Sequence, residues 1–285
     1  MASRWCWMMW LLLVGGGVDS LVEREVGAAE RPTVELIAHR GASHDAPENT
    51  LRALRLGFEQ QSDAGELDVW VSRDGVPVVI HDADTKRVAG VPRKVSEQTL
   101  AELQALDVGS WKGAHFAGER IPTLREALAI VPAGRRLFVE IKCGVEGVPA
   151  ILRVLQESAM PAPQLVIISF SSAVVAAAKQ ARPDLHAYWI VAWKKDKEGR
   201  EPRIEQLIEQ ARRSSADGLD LSDHPQIDAE VVSQVRAANL RLYVWTVDDA
   251  AAARRLARLG VDGITTNRPG WLREQLAAEE LSGNR

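Results

Sequence analysis

Eight short apolar runs, separated by stretches with helical periodicity, set the strongest limit on what this chain can fold into. They are Val34–Ala38, Glu66–Val71, Leu137–Lys142, Leu165–Phe170, Ala187–Ala192, Gly218–Leu221, Leu242–Val247 and Gly263–Thr266. Between them, Leu51, Leu54 and Phe58 share a helical face after Asn49, a capping residue, and Ile227, Val231 and Val235 share another. Thr123-Leu124-Arg125-Glu126 reads as a capping box opening a helix through Ala129. Asp248 stands where it can cap Ala250–Leu259, which Gly260 ends. Strands that alternate with helices form parallel sheets covered on both faces, and eight such units point to a closed (β/α)₈ TIM barrel of the α/β class. At 285 residues and 46% hydrophobic the chain is long enough to bury that core. Asp82 to Pro122 interrupts the alternation with a helix pattern over Ser96–Leu106, then Trp111 and Phe116. It reads as a small inserted subdomain after the second strand, not as an independent domain.

The second strand carries the chemistry. Val69-Trp70-Val71 and Val76-Pro77-Val78-Val79-Ile80 flank Arg73-Asp74-Gly75, and Asp-Gly between β-branched runs predicts a two-residue hairpin turn. In that register Arg73 pairs with Val76, and His81 folds back opposite Asp68. Glu66 and Asp68 share one face of their strand. Read singly, they are also the polar face of an edge strand, and His81 a satisfied loop histidine; the register draws them into one site. Glu140 and Lys142 alternate onto one face of another apolar strand, where an unpaired charge is costly. They form either a structural ion pair or a third oxygen ligand and a point charge for phosphate. Three carboxylates without cysteine or histidine at zinc spacing favour magnesium or calcium over zinc. With His39-Arg40-Gly41 at the end of the first strand, this set matches metal-assisted phosphate-ester cleavage. Such cleavage needs a cation on phosphate oxygens and two proton carriers.

The runs His39-Arg40-Gly41, Pro47-Glu48-Asn49-Thr50, Glu66-Leu67-Asp68-Val69, Asp74-Gly75 and Val78-Val79-Ile80-His81-Asp82 resemble the signature of the glycerophosphodiester phosphodiesterases. The resemblance continues through Ile121-Pro122-Thr123-Leu124, Glu140-Ile141-Lys142, Ser169-Phe170 and Val244-Trp245-Thr246 to Gly263-Ile264-Thr265-Thr266-Asn267, so it covers about residues 34–272. It implies an acid–base pair at His39 and His81, metal ligands at Glu66, Asp68 and Glu140, and phosphate contacts at Arg40 and Lys142. The implied reaction converts deacylated phospholipid headgroups to glycerol 3-phosphate and an alcohol, with one divalent cation, Ca²⁺ or Mg²⁺. Which histidine is acid and which base, and whether water or a substrate hydroxyl attacks, stays open at this stage. Phe170 and Trp245 are candidate substrate contacts, with a core role at the barrel rim equally compatible. A lysophospholipase D, with Trp111 and Phe116 on acyl chains, is the alternative within the enzymes. A noncatalytic phosphodiester-binding barrel is the alternative outside them, and two proton carriers argue against it.

Net charge is −4 and no basic cluster appears, which excludes a nucleic-acid partner and leaves a small-molecule substrate. Peripheral membrane contact stays compatible with this balance. Arg4 precedes an apolar run from Trp5 to Val14, too short to span a bilayer and suited to the core of a secretory signal. The expected organisation is therefore a signal and linker over residues 1–29 and a barrel domain over 30–285 containing the 82–122 insertion. Export to the periplasm or the outside follows, with an uncleaved N-terminal anchor as the alternative. Removal of the signal leaves Cys143 as the only thiol, so no intramolecular disulfide forms.

Overall fold

The computed structural model describes residues 34–195 and 197–283. In chain order the strands are β1 (Glu35–Ala38), β2 (Ala64–Val71), β3 (Pro77–Val79), β4 (Arg136–Ile141), β5 (Leu165–Ser169), β6 (His186–Val191), β7 (Gly218–Ser222), β8 (Arg241–Trp245) and β9 (Gly263–Thr266). All except β3 run parallel in the order β1-β9-β8-β7-β6-β5-β4-β2, and pairing of Ile37 with Ala64 joins β1 to β2 and closes the ring. The eight expected runs are thus the eight staves of a closed barrel. The helices are α1 (Leu51–Glu59), α2 (Lys86–Ala89), α3 (Leu100–Gln104), α4 (Leu124–Ala129), α5 (Val148–Glu157), α6 (Ser172–Ala181), α7 (Ile204–Arg213), α8 (Ala229–Ala237), α9 (Ala250–Leu259) and α10 (Pro269–Gly283).

Strand alternation sorts the apolar residues into two layers. Ile37, Ala64, Phe138, Val166, Ile168, Tyr188, Ile190 and Tyr243 fill the lumen. Their neighbours Leu36, Leu67, Val139, Ile167, Leu219 and Val244 face outward under the helices, where they join one continuous core. Each such Leu, Ile or Val, fully buried, contributes about 1.5–3 kcal/mol of transfer free energy. That leaves the strand ends free to carry polar groups.

The hairpin forms, but one residue out of the expected register. Ser72 donates its N–H to Val76 O (2.9 Å) and Gly75 donates to Ser72 O (3.0 Å). Arg73, Asp74 and Gly75 therefore make a three-residue loop, and Val69 pairs with Val79, Trp70 with Val78 and Val71 with Pro77. A two-residue Asp-Gly turn needs left-handed φ at both positions, and here only Gly75 has it, at +80°. Asp68 consequently lies opposite Ile80, whose N–H it accepts at 3.0 Å, and His81 follows just beyond the strand.

Two expected caps are also displaced by one residue. Thr50, not Asn49, caps α1 by accepting from Ala53 N, and Asp249, not Asp248, caps α9 by accepting from Ala252 N. The Thr123–Glu126 capping box and the left-handed Gly260 stop are as expected. The single helix expected over Ser96–Leu106 is instead a 3₁₀ turn at Val95–Glu97 followed by α3. Thr99 and Glu102 form a capping box there, and starting a helix at Thr99 requires extended backbone just before it. Val88, Val95, Leu103, Val108 and Ile121 of this inserted stretch pack on Val78 and Ile80 of the hairpin. The expected signal over residues 1–29 lies outside the described residues, and among those described no helix is long and apolar enough to cross a membrane.

Candidate active site

After β1 the chain makes a left-handed turn, with φ of 54° at Arg40 and 78° at Gly41. A Cβ on Gly41 would stand 2.3 Å from the carbonyl carbon of Ala53, so only glycine lets the turn seat against α1. The strained geometry at Arg40 turns its N–H onto Glu66 Oε2 at 2.8 Å. His39 lies beside it, with Nδ1 2.7 Å from Asn267 Oδ1. The Asn267 side-chain Nδ2 and its backbone N–H both donate to the Asp248 carboxylate, which can only accept. This fixes the amide with its oxygen toward His39, so the proton sits on Nδ1 and Nε2 is left as the basic nitrogen. Burial and the adjacent Arg40 charge lower the imidazole pKa to about 4, against the Asn267 hydrogen bond, so His39 is neutral near pH 7.

Glu66 and Asp68 of β2 and Glu140 of β4 meet at one level, because Asp68 pairs directly with Glu140. One oxygen from each lies within 4.8 Å of the others, and all three residues are buried. Burial and the neighbouring charges of Asp68 and Glu140 push the Glu66 carboxyl well above its usual range. Burial and Asp68 raise Glu140 to about 7. Asp68 behaves oppositely: burial acts against its ionisation, but Arg40, Lys142, His81 and a hydrogen bond from Asn49 together bring it to about 2. Asn49 grips Asp68 twice, through Nδ2 to Oδ2 (2.8 Å) and by accepting Asp68 N–H (3.1 Å). Arg40 Nε is 3.2 Å from Asp68 Oδ2 and its Nη1 is 2.8 Å from Glu48. Lys142 Nζ donates to Glu140 at 2.8 Å and stands 3.4 Å from Asp68 Oδ1. Glu66 Oε1 and Asp68 Oδ1 are buried without hydrogen-bond partners. Orphaned oxygens in a converging all-carboxylate set suit a hard divalent cation that takes oxygen ligands.

His81, half-buried, completes the group, with Nδ1 2.7 Å from Asp82 Oδ1. The structure thus gathers His39, Arg40, Glu66, Asp68, His81, Glu140 and Lys142 at the C-terminal end of the barrel. Phe170 and Trp245 meet edge to face at 5.4 Å on the rim, and the Lys142 ammonium lies 5.6 Å from the Phe170 ring. Ser169 instead ties β5 to β4 through Ile141 O. Of the two aromatic side chains in the insertion, Trp111 is exposed, whereas Phe116 is buried against Ala46 and Ala53.

Sequence reasoning gave Asn49 and Asp248 only helix-capping roles, and Asp82, Arg87, Asn267 and Asp220 none. Asp220 is buried in β7 with Oδ1 unpartnered, and burial with the Glu140 charge raises its carboxyl to about 8. The available signal was position: each of Asn267, Asp248 and Asp82 is a polar residue one to three places past a strand.

Residues 39–271 match the model of the glycerophosphoryl diester phosphodiesterase family. A glycerophosphodiester phosphodiesterase of Caldanaerobacter subterraneus is 33% identical over 247 residues, spanning 83% of this chain and 95% of that one. The Bacillus subtilis protein YhdW is 32% identical over 246 residues, spanning 83% and 96%. A solved Oleispira antarctica phosphodiesterase, in complex with its product sn-glycerol-3-phosphate, superposes with a TM-score of 0.77 at 31% identity, covering 86% of this chain and 97% of its own. With residues 39–271 matched by the family model and its barrel superposing on a solved relative, the chain belongs to the glycerophosphoryl diester phosphodiesterase family.

Proposed function

We propose that this protein hydrolyses glycerophosphodiesters, the deacylated headgroups of phospholipids, to glycerol 3-phosphate and an alcohol. The observation that carries the reading is the unlike pair of histidines beside the carboxylate triad. His39 is buried and stands next to Arg40, and both favour the uncharged ring against the opposing hydrogen bond to the Asn267 amide. His81 instead meets a carboxylate, with Nδ1 2.7 Å from Asp82 Oδ1, so its ring is oriented by an acceptor-only group. The difference supports His39 as the base that accepts the proton of the attacking hydroxyl. It supports His81 as the acid that protonates the departing alkoxide.

Glu66, Asp68 and Glu140 would hold the divalent cation, calcium or magnesium. When bound, that ion supplies positive charge to the phosphate oxygens as the transition state develops. Arg40 and Lys142 add charge beside the same carboxylates, and Phe170 with Trp245 offers an apolar wall for the glycerol carbons. Two separately oriented imidazoles support turnover over mere capture. The buried Phe116 supports a small headgroup over a lysophospholipid chain. Export rests on Arg4 and the apolar run Trp5–Val14, which have the form of a secretory signal.

The test is release of glycerol phosphate from glycerophosphocholine by the purified chain, after chelation and with calcium or magnesium restored. Release should require one of the ions and should be lost in H39A and H81A while both variants stay folded. A folded protein inactive with either ion, or full activity in either variant, would overturn the reading.

A further inference from the structure

We propose that Arg87, carried by the inserted segment, is a positioning residue that fixes the orientation of His81. Arg87 sits in the short helix α2, outside the barrel, and touches none of the three carboxylates of the triad. Its guanidinium bridges two other carboxylates. Nε and Nη2 donate to Asp82 at 2.7 and 3.3 Å, while Nη1 and Nη2 donate to the two oxygens of Glu48 at 2.9 and 2.7 Å.

Each carboxylate passes the constraint onward. Asp82 Oδ1 is also the oxygen that meets His81 Nδ1 at 2.7 Å, and Glu48 Oε1 also meets Arg40 Nη1 at 2.8 Å. Arg40 in turn contacts Asp68. One arginine therefore ties His81 to the turn that carries His39, and to Asp68 of the triad, by a continuous chain of hydrogen bonds and ion pairs. A planar fork can hold two carboxylates at fixed angles, whereas an ammonium acts as a point charge.

Both carboxylates are kept ionised in this arrangement. Burial acts to raise them, and the hydrogen bonds from Arg87, with Arg40 for Glu48 and His81 for Asp82, bring them below their usual range. Ionised Asp82 accepts from His81 Nδ1, so Nε2 is the ring nitrogen left to carry the proton delivered to the leaving group. The Trp111 ring lies 5.9 Å from the guanidinium, so the insertion supplies both the clamp and a cover for it. The insertion thus completes the acid's setting, which explains why a segment outside the barrel packs so closely on the hairpin before His81.

The inference rests on the reading of His81 as the acid, and leaving-group chemistry separates the two. Choline departs as an alkoxide that needs a proton; p-nitrophenolate departs as a stable anion and does not. Glycerophosphocholine and the glycerol p-nitrophenyl phosphodiester are assayed with wild type, H81A, R87A and R93A. Arg93 serves as the control, since it pairs with Glu102 and Glu97 O inside the insertion and takes no part in the clamp.

R87A should lower kcat on glycerophosphocholine by about 10–100-fold with KM within about twofold, the usual scale for an orienting partner. The p-nitrophenyl substrate should slow by less than about threefold in the same variant. R93A should leave the ratio of the two rates as in wild type. H81A should show the R87A selectivity in stronger form. If H81A is selective but R87A slows neither substrate, or slows both equally, the clamp is wrong and the acid assignment stands. If R93A reproduces R87A, the effect belongs to the integrity of the insertion and the clamp is again wrong. If H81A slows both substrates equally, the acid assignment falls and the clamp with it.

Discussion

At the N-terminal end of the barrel Glu35 faces Arg136; at the C-terminal end Glu66, Asp68 and Glu140 face one another. Glu35 accepts from Arg136 Nη1 at 2.6 Å and from the Tyr243 hydroxyl at 2.9 Å. Arg136 also reaches the hydroxyls of Tyr243 (3.0 Å) and Tyr188 (3.3 Å), with the two tyrosine rings stacked at 4.8 Å. Buried charge there meets its complement, and the result is a plug. At the opposite end three carboxylates converge on only two cations, Arg40 and Lys142, and two carboxylate oxygens stay without hydrogen-bond partners. Buried polar groups that stay unsatisfied cost roughly 1–3 kcal/mol each. The same barrel therefore uses matched charge to close one end and mismatched charge to prepare the other for a ligand.

The largest expected effect tests the mismatch directly. Glu140 titrates near pH 7 in the folded chain against 4.5 in its ordinary state, so the folded form binds that proton more tightly. Its contribution to stability is complete below about pH 4.5 and is lost as the pH rises through 7. Between those values the chelated protein should lose on the order of 3 kcal/mol from this group, seen as a falling midpoint in urea titrations. Calcium or magnesium should flatten the slope. Glu35 is shifted in the same direction by its burial, so E140Q is the variant that isolates the C-terminal end. A chelated wild type with the same pH slope as E140Q would break the contrast.

A second variant sharpens it, because Asp248 is a fully engaged carboxylate at the reactive end. It accepts from Thr266 Oγ1 and Asn267 N at 2.8 Å and from the Asn267 side chain. In D248N the new amide would point a donor at the Asn267 donor. Relief comes from flipping Asn267, which then donates to His39 Nδ1 and drives the ring proton onto Nε2. The base would lose its basic nitrogen. We expect kcat to fall about 10–100-fold with the fold retained. Retained activity with lost stability would mean that matched charge is structural at both ends.

The fold was legible because burial wrote it into composition: a parallel strand covered on both faces must be apolar, as Leu165–Ser169 is throughout. The triad was legible for the opposite reason, since Glu66, Asp68 and Glu140 are carboxylates inside such runs. What the sequence hid is a matter of single-residue placement. Asn49 and Asp248 look like helix caps, and their neighbours Thr50 and Asp249 do that work. Capping chemistry is shared by Ser, Thr, Asn and Asp, so sequence cannot say which of two adjacent residues caps and which turns into the site. The hairpin slip has a similar origin. Asp-Gly is compatible with loops of two or three residues, and the choice depends on the backbone at Asp74. Arg87 was hidden more deeply, because its partners Glu48 and Asp82 are 39 and 5 residues away.

The smallest effect comes from the plug, through E35Q. The glutamine oxygen can still accept from Tyr243, so the hydroxyl keeps its partner and only the charge facing Arg136 disappears. That charge is already discouraged by burial, and the Arg136 side chain keeps 22% of its surface in solvent, which softens the loss. Stability should change by less than about 1 kcal/mol, measured at pH 7 with cation present, because relief of the buried charge offsets the lost attraction to Arg136. Turnover should remain within about twofold of wild type, because a matched pair on the far side of the Phe138–Tyr188–Tyr243 layer gives the reactive end nothing to sense. A larger effect is expected at the other end: E140Q relieves repulsion and should raise the melting temperature of the chelated protein at pH 7 while removing activity. If E35Q instead lowers turnover in step with stability, the lumen transmits strain from end to end, and matched charge serves catalysis as well as closure.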